Sequence, residues 1–196
     1  MEKLGAMGYI LIGFVILVIV KMYLDSDAYN LKCIVSTVDG NKYCVRERAN
    51  LTAAADMLAR TTEKMKRLTR QLHQAYPNRD NVSRLYNNFK PTRVKEILPT
   101  SEYTAYSENK GEQLALCLTN GKKGGGLIDE NTLTFVALHE LSHIMTKSIG
   151  HKQEFWDNFK FAIKEAAKIG IYSPVDYSKE QITYCGMEIS DNPYFS

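Results

Sequence analysis

An apolar run opens the chain and ends abruptly at a lysine. Residues 4–20 are apolar without interruption, and Lys21 follows. A helix that crosses a membrane needs about 20 such residues, with a lower limit near 17. We therefore predict an uncleaved transmembrane anchor at residues 1–24, with a cleaved signal peptide as the alternative. Lysines flank the run on both sides, so the charge pattern does not determine the sidedness of this single-pass membrane protein.

Beyond the run, the spacing of apolar positions predicts a hairpin and a long helix. Residues 33–38 and 43–46 flank Asp39-Gly40, a pair typical of hairpin turns. Residues 25–50 are therefore assigned to a connecting hairpin segment. Residues 51–75 form a core helix in this prediction, and a shorter helix follows at about 82–89. The apolar position repeats every seventh residue along the long helix, at Leu51, Leu58, Met65 and Leu72.

The second half of the chain combines short strands with two more helices. Residues 103–107 and 114–118 flank Asn109-Lys110-Gly111 and predict a second hairpin. Residues 120–126 are expected to form a flexible basic loop, residues 132–149 a buried helix, and residues 170–196 an irregular tail. These elements indicate an α+β fold, with a single domain at residues 51–196 behind the N-terminal helix.

Residues 139–143 read His-Glu-Leu-Ser-His and lie on the predicted buried helix. Side chains four residues apart share one helix face, so His139 and His143 can bind one metal ion together. Glu140 lies about 100° further round the helix, where it can reach water at the metal without binding the metal itself. Two histidines, an open coordination position and a carboxylate base are the components of a zinc hydrolase. Asn131 and Thr132 are the expected N-terminal caps of this helix.

A third ligand is expected at His151. Gly150 is a plausible helix stop, after which the chain could turn back and bring His151 to the metal. An amphipathic helix with Phe155 and Phe159 follows and would hold that turn in place. His73 lies far upstream on a polar helix face, and we interpret it as a surface histidine.

The run HELSHIMTKSIGHKQEFW resembles the WLM and SprT-like zinc metalloproteases. In that family the helix carries HExxH, and the third ligand is a histidine in a Gly-His-x-x-x-Phe segment. The resemblance implies a zincin-like domain built from an active-site helix, a small antiparallel sheet and packing helices. It also implies Zn²⁺ on His139, His143 and His151, with Glu140 as the general base. Phe155 and Trp156 match the aromatic pair that packs behind the site.

The expected function is that of a membrane-tethered zinc-dependent endopeptidase acting on a protein or peptide substrate. Zinc-activated water attacks the peptide bond in this hypothesis, and Glu140 accepts its proton. An edge strand beside the active helix, expected at Leu114, Leu116 and Leu118, would pair with the substrate backbone. A tyrosine hydroxyl is expected to stabilise the oxyanion by hydrogen bonding. The candidates are Tyr172, Tyr177 and Tyr184, and the choice among them stays open.

Two alternative functions remain. One is a catalytically silent, zinc-stabilised interaction module displayed on a membrane, and the other is a DNA–protein crosslink-type protease. The net charge of +3 is too small to argue for nucleic acid, and we do not expect nucleic acid as a partner. Besides the protein or peptide substrate, the expected partner is the membrane, through residues 4–24.

The four cysteines permit two disulfides without requiring any. A two-residue turn at Asp39-Gly40 would place Cys33 opposite Arg46 instead of Cys44, so no pairing is assigned.

Overall fold

The structure is a computed structural model that describes residues 5–24 and 31–196. Within these residues the protein has an α+β fold with five α-helices and several small sheets, and this part of the fold prediction agrees with the structure. The helices are α1 (Ala6–Leu24), α2 (Leu51–Ala75), α3 (Asp80–Asn88), α4 (Glu130–Met145) and α5 (Gln153–Lys168). The strands are β1 (Leu31–Val35), β2 (Lys42–Arg46), β3 (Val94–Glu96), β4 (Ala105–Glu108), β5 (Gln113–Leu116), β6 (Thr119–Gly121), β7 (Gly124–Leu127), β8 (Ile182–Tyr184) and β9 (Met187–Ile189).

The N-terminal helix requires a correction. Across the part of the chain that the structure describes, no helix combines the length and hydropathy that a membrane span requires. In α1 the apolar stretch before Lys21 runs from residue 6 to residue 20, about 22 Å at 1.5 Å per residue, against a hydrocarbon thickness of roughly 30 Å. The predicted transmembrane anchor and the single-pass membrane localisation are therefore wrong. The membrane as a partner stays a prediction. Residues 1–4 and 25–30, on which parts of the anchor and of the connecting segment were placed, lie outside the described residues.

Helix α2 lies in the core of the molecule and has the predicted bounds. The side chain of Asn50 caps its first turn by accepting a hydrogen bond from the Ala53 N–H at 2.9 Å. Leu58 and Leu72 are fully buried. The seven-residue spacing of apolar positions therefore reflects a helix that packs against several neighbours, including β2, α3 and α4.

The three-stranded sheet has the order β3-β5-β4, with β3 parallel and β4 antiparallel to β5. Strand β5 is therefore central, and both of its edges are already paired. The predicted edge strand at Leu114, Leu116 and Leu118 is wrong for this reason, and all three side chains are buried in the core. Among the described strands, β3 and β4 form the two edges of this sheet, and β4 is the edge strand that contacts α4.

The first hairpin has a longer turn than predicted, and this changes the cysteine register. Cys33 lies opposite Cys44, and the two form a disulfide. The turn occupies residues 36–41 because Asp56 on α2 accepts hydrogen bonds from the side chains of Ser36 and Thr37. A contact with a distant helix thus selects the loop length, which Asp39-Gly40 alone does not.

Two segments expected to be irregular contain hairpins. Residues 120–126 form most of β6 and β7, and the tail contains β8 and β9. A second disulfide joins Cys117, just after β5, to Cys185 in the turn between β8 and β9. This covalent link attaches the C-terminal hairpin to the central strand of the sheet.

A buried charge cluster connects β2 to β3. Glu96 is fully buried and accepts a hydrogen bond from the Arg46 N–H at 2.7 Å. The Arg48 guanidinium donates to the same carboxylate, and the Arg46 Nε lies 3.6 Å from it. Burial raises the pKa of Glu96, and the two arginines and the N–H group oppose this shift.

Replacement of Glu96 should destabilise the fold strongly. In Glu96→Gln, two guanidinium groups lose their buried counter-ion, and disrupting such a cluster costs about 3–5 kcal/mol. Urea denaturation of the variant and the wild type measures this loss. Glu112→Gln is the matched control, because the Glu112–Arg93 pair is more than half exposed, and it should leave the midpoint nearly unchanged. Equal midpoints for Glu96→Gln and the control would contradict a stabilising role for the cluster.

Candidate active site

Helix α4 carries the His-Glu-Leu-Ser-His motif. It begins after Asp129, whose carboxylate accepts a hydrogen bond from the Thr132 N–H at 2.8 Å. Asp129 is therefore the N-cap, and the predicted caps Asn131 and Thr132 are wrong because both residues lie inside the helix. Glu130 in the first turn forms ion pairs with Arg60 and Lys64 on α2. These contacts fix the start of α4 against the central helix.

The three predicted histidines come together. One donor nitrogen from each of His139, His143 and His151 lies within 4.8 Å of the others. The Nε2 atoms of His139 and His151 are 3.0 Å apart. The ring centroid of His151 lies 5.0 Å from that of His139 and 4.9 Å from that of His143. The geometry therefore brings all three imidazoles to one point.

This donor set fits a metal ion. Across residues 5–24 and 31–196, no fourth histidine, cysteine or acidic side chain joins the cluster. Both cysteine pairs are oxidised, so none of the four offers a thiolate. Three imidazoles without a fourth protein ligand match the ligand number of catalytic zinc sites, whereas structural zinc sites have four.

Two of the three histidines, His139 and His143, are held in their neutral, metal-binding form. Burial lowers the pKa of His139 to about 3 and that of His143 to about 4, and the neighbouring imidazoles add to both shifts. The ring of Phe155 on α5 packs against all three imidazoles, at centroid distances of 4.4 to 4.8 Å. Trp156 contacts His151 at 5.9 Å. Phe155 is fully buried and lies behind the histidines, whereas Trp156 is 40% exposed, so only one of the two aromatic side chains packs behind the site.

His151 lies on a connection without regular structure. Helix α4 ends at Met145, four residues before the predicted end, and α5 begins at Gln153. Gly150 has a φ of 78°, the left-handed conformation expected of it, but this turn lies within the connection and does not stop the helix. Something other than helix geometry must therefore hold His151 in place.

Two charged side chains hold this connection. The Lys110 ammonium donates hydrogen bonds to the carbonyl oxygens of His143 at 3.3 Å, Thr146 at 2.9 Å and Ser148 at 2.8 Å. The Glu154 carboxylate accepts hydrogen bonds from the N–H groups of Lys147 at 2.9 Å and Ser148 at 3.1 Å. These bonds lower the pKa of Glu154 to about 2, and burial lowers the pKa of Lys110.

Sequence analysis missed both residues. Lys110 was assigned only to a turn, and its bonds to the distant helix end have no local signal. Glu154 could have been found, because an acidic residue in the first turn of a helix is a known anchor for backbone N–H groups.

Glu140 is almost completely buried, and its Oε2 atom has no hydrogen-bond partner in the described structure. Burial raises the pKa of Glu140 to about 8 in the metal-free protein. A divalent cation at the neighbouring imidazoles would oppose this shift, because a nearby positive charge favours the ionised carboxylate. An unpartnered buried carboxyl group is costly for the fold, so its retention beside the histidines indicates a chemical role.

The site opens into a groove of about 1100 Å³. Its lining includes His139, Glu140, His143 and His151, together with β4 and the residues that flank this strand. The unpaired edge of β4 therefore lies where β5 was expected.

Of the three candidate tyrosines, only Tyr184 lines the groove. Its hydroxyl accepts a hydrogen bond from the Cys117 N–H at 2.9 Å and donates to the Thr104 carbonyl at 3.4 Å. Tyr172 and Tyr177 pack against Phe135 within the core. His73 stacks on Tyr86, with ring centroids 3.9 Å apart, and does not belong to the histidine cluster.

Comparison with known proteins gives similar proteins from three viruses. An uncharacterized protein of Acanthamoeba polyphaga mimivirus is 28% identical over 161 residues, 80% of this chain and 81% of that protein. An uncharacterized protein of Invertebrate iridescent virus 6 is 36% identical over 69 residues, 35% of this chain and 38% of that protein. One of Invertebrate iridescent virus 3 is 32% identical over 90 residues, 46% of this chain and 50% of that protein. No family model matches the chain, and no solved structure matches it.

Removal of the Lys110 ammonium should weaken metal binding. Lys110→Met leaves three carbonyl groups at the end of α4 without their donor, so the connection to His151 loosens. Groups that orient metal ligands typically contribute about 10- to 100-fold to metal affinity. Competition with a chromogenic chelator measures the change. Lys147→Met is the control, since Lys147 lies in the same connection but its side chain is mostly exposed. If both variants bind zinc as tightly as the wild type, Lys110 does not position the site.

The stability of the metal-free protein should peak near pH 6.5. Below this pH the unfolded chain protonates histidines that the fold keeps neutral, so stability falls toward pH 4. Between pH 4.5 and about 8 folded Glu140 retains a proton that the unfolded chain releases, so this residue lowers stability as the pH rises. Urea midpoints measured from pH 4.5 to 8.5 with a chelator present test the loss of stability in both directions. In His139→Ala the loss of stability toward low pH should become smaller, and an unchanged loss would contradict the role given to this histidine.

Proposed function

We propose that this protein is a zinc-dependent endopeptidase. The observation that carries the proposal is the convergence of three imidazoles on the wall of an open groove, beside a buried carboxyl group whose Oε2 atom has no partner among the described residues. His139, His143 and His151 would hold the zinc ion. When bound, zinc acts as a Lewis acid that makes water more acidic and polarises a carbonyl oxygen.

Glu140 supplies the proton transfers. Its Oε2 atom accepts a proton from the attacking water and later delivers it to the amine that leaves. The absence of a protein partner on Oε2 supports this role, because a carboxylate engaged in strong hydrogen bonds would be a weaker base. The aromatic packing of Phe155 behind the histidines excludes water from that side and leaves the groove as the approach to the site.

The unpaired edge of β4 is the candidate substrate-binding strand. A substrate in extended conformation can add to this edge through main-chain hydrogen bonds and lie across the histidines. Tyr184, the last residue of β8, is the candidate oxyanion donor among the tyrosines. For that role its hydroxyl would exchange the long bond to Thr104, at 3.4 Å, for the substrate oxygen.

The donor set argues against a catalytically silent module. A purely structural zinc site is closed by four protein ligands, and the described residues offer three. Such a module would also have no use for Glu140, whose burial without a partner lowers stability.

The decisive experiment separates metal binding from catalysis. Glu140→Gln should bind zinc with a stoichiometry near that of the wild type and lose roughly 100- to 10 000-fold in kcat, since it cannot accept the proton. His139→Ala should lose zinc and activity together. Metal analysis and cleavage of an unstructured protein such as casein provide the two measurements.

His73→Ala is the matched histidine control, because His73 lies outside the cluster. It should retain both metal and activity. Equal peptidase activity in the wild type and Glu140→Gln would overturn the proposal, and so would a wild-type protein that binds zinc and cleaves no polypeptide.

A further inference from the structure

The groove beside the histidines has a predominantly apolar lining away from the site itself. Val136 lies on α4 one turn before His139, and Met187 and Ile189 lie on β9. Met187 is 48% exposed, although it is a large apolar side chain on a short strand. These residues form a surface that a large apolar side chain of a bound chain would cover.

Both ends of the edge strand carry carboxylates. Glu102 lies three residues before β4, and Glu108 is its last residue; both line the groove. Asp191, also in the lining, follows β9, and this hairpin contacts the start of β4 through Met187 and Thr104. Glu102 and Glu108 therefore lie beyond the start and at the end of β4, six residues apart, which is up to about 20 Å in an extended chain. Asp191 adds a third carboxylate to the lining.

No cation within the described groove balances these carboxylates. Glu102 has neither a hydrogen bond nor an ion pair in the described structure, and Asp191 accepts only the Asn192 N–H. The Glu108 carboxylate accepts one hydrogen bond, from the neutral Gln113 side chain. Lys110 is the single lysine or arginine in the described lining, and its ammonium donates hydrogen bonds to three carbonyl oxygens at the end of α4. The groove is thus acidic although the whole chain has a net charge of +3.

We propose that the groove selects an extended polypeptide with a large apolar residue near the scissile bond and lysine or arginine on both sides of it. The apolar residue packs on Val136, Met187 and Ile189. The basic residues face Glu102 at one end of β4 and Glu108 at the other, and Asp191 adds to the negative charge of the lining. This inference rests on the proposed peptidase function and defines its substrate class.

The test uses synthetic peptides that share one sequence and differ only in their flanks. Each has a central leucine, and the flanking positions carry lysine, glutamine or glutamate. With the zinc-loaded full-length protein, kcat/KM should decrease from the lysine to the glutamine to the glutamate peptide. Each exposed ion pair contributes at most about fivefold, so two or three pairs give a total of roughly 10- to 100-fold. The preference should shrink in 0.5 M NaCl, and central alanine should reduce cleavage of the lysine peptide.

Variants assign the preference to the groove. Glu102→Gln should abolish the preference for lysine on one flank and leave the other, and Glu108→Gln should do the reverse. Glu188→Gln is the matched control, because Glu188 is an exposed carboxylate on β9 that does not line the groove. It should keep the full preference on both flanks.

A binding measurement separates this inference from the proposed function. Fluorescence anisotropy with the Glu140→Gln protein reports affinity for the three peptides without cleavage. Cleavage that is independent of flank charge, or equal affinity for all three peptides, overturns the inference and leaves the peptidase proposal standing. A charge preference in binding, combined with no cleavage by the wild type, supports the inferred ligand class and overturns the peptidase proposal.

Discussion

The candidate site depends on the hydrogen bonds that hold an irregular connection between two helices. Helix α4 fixes His139 and His143 through its own geometry, but His151 lies after the helix has ended. Lys110 donates hydrogen bonds to carbonyl groups of this connection, and Glu154 accepts hydrogen bonds from its N–H groups. These charged side chains thus supply the hydrogen bonds that a further helical turn would have made. Lys110 also belongs to the turn between β4 and β5. The same ammonium therefore fixes the edge strand relative to the histidines, and the two parts of the site cannot move independently.

The opposite wall of the groove is held by different means. The β8–β9 hairpin is short, and two strands alone are marginally stable in water. Its turn is joined to the end of β5 by the Cys117–Cys185 disulfide, and the Tyr184 hydroxyl bonds the Cys117 N–H beside it. The disulfide closes a loop of 68 residues that contains the whole of α4 and α5. The hairpin that carries Met187 and Ile189 thereby belongs to the same rigid unit as the sheet.

Local patterns predicted the helices and the histidine cluster because both depend on short sequence spacings. The bounds of α2 and the convergence of His139, His143 and His151 follow from helical periodicity and from one turn near Gly150. Contacts between distant residues decided the features that were wrong. Strand order made β5 central, Asp56 lengthened the first turn, and Glu154 ended α4 early. The anchor was wrong because hydropathy counts apolar residues without showing where the described helix begins and ends.

Glu140 distinguishes between the possible uses of the histidine cluster. A fold that needed the metal only for stability would gain from an apolar residue at this position, because burying a carboxyl group without a partner costs free energy. Instead the carboxyl group lies on the metal-binding helix, next to the first histidine and open to the groove. Its raised pKa and the lowered pKa values of His139 and His143 lie on opposite sides of neutrality, although all three groups share one environment. Burial disfavours the charged form of each of these three groups. A divalent cation on the imidazoles would favour the ionised form of Glu140, and the proposed hydrolytic mechanism requires a metal ion together with an ionised carboxylate.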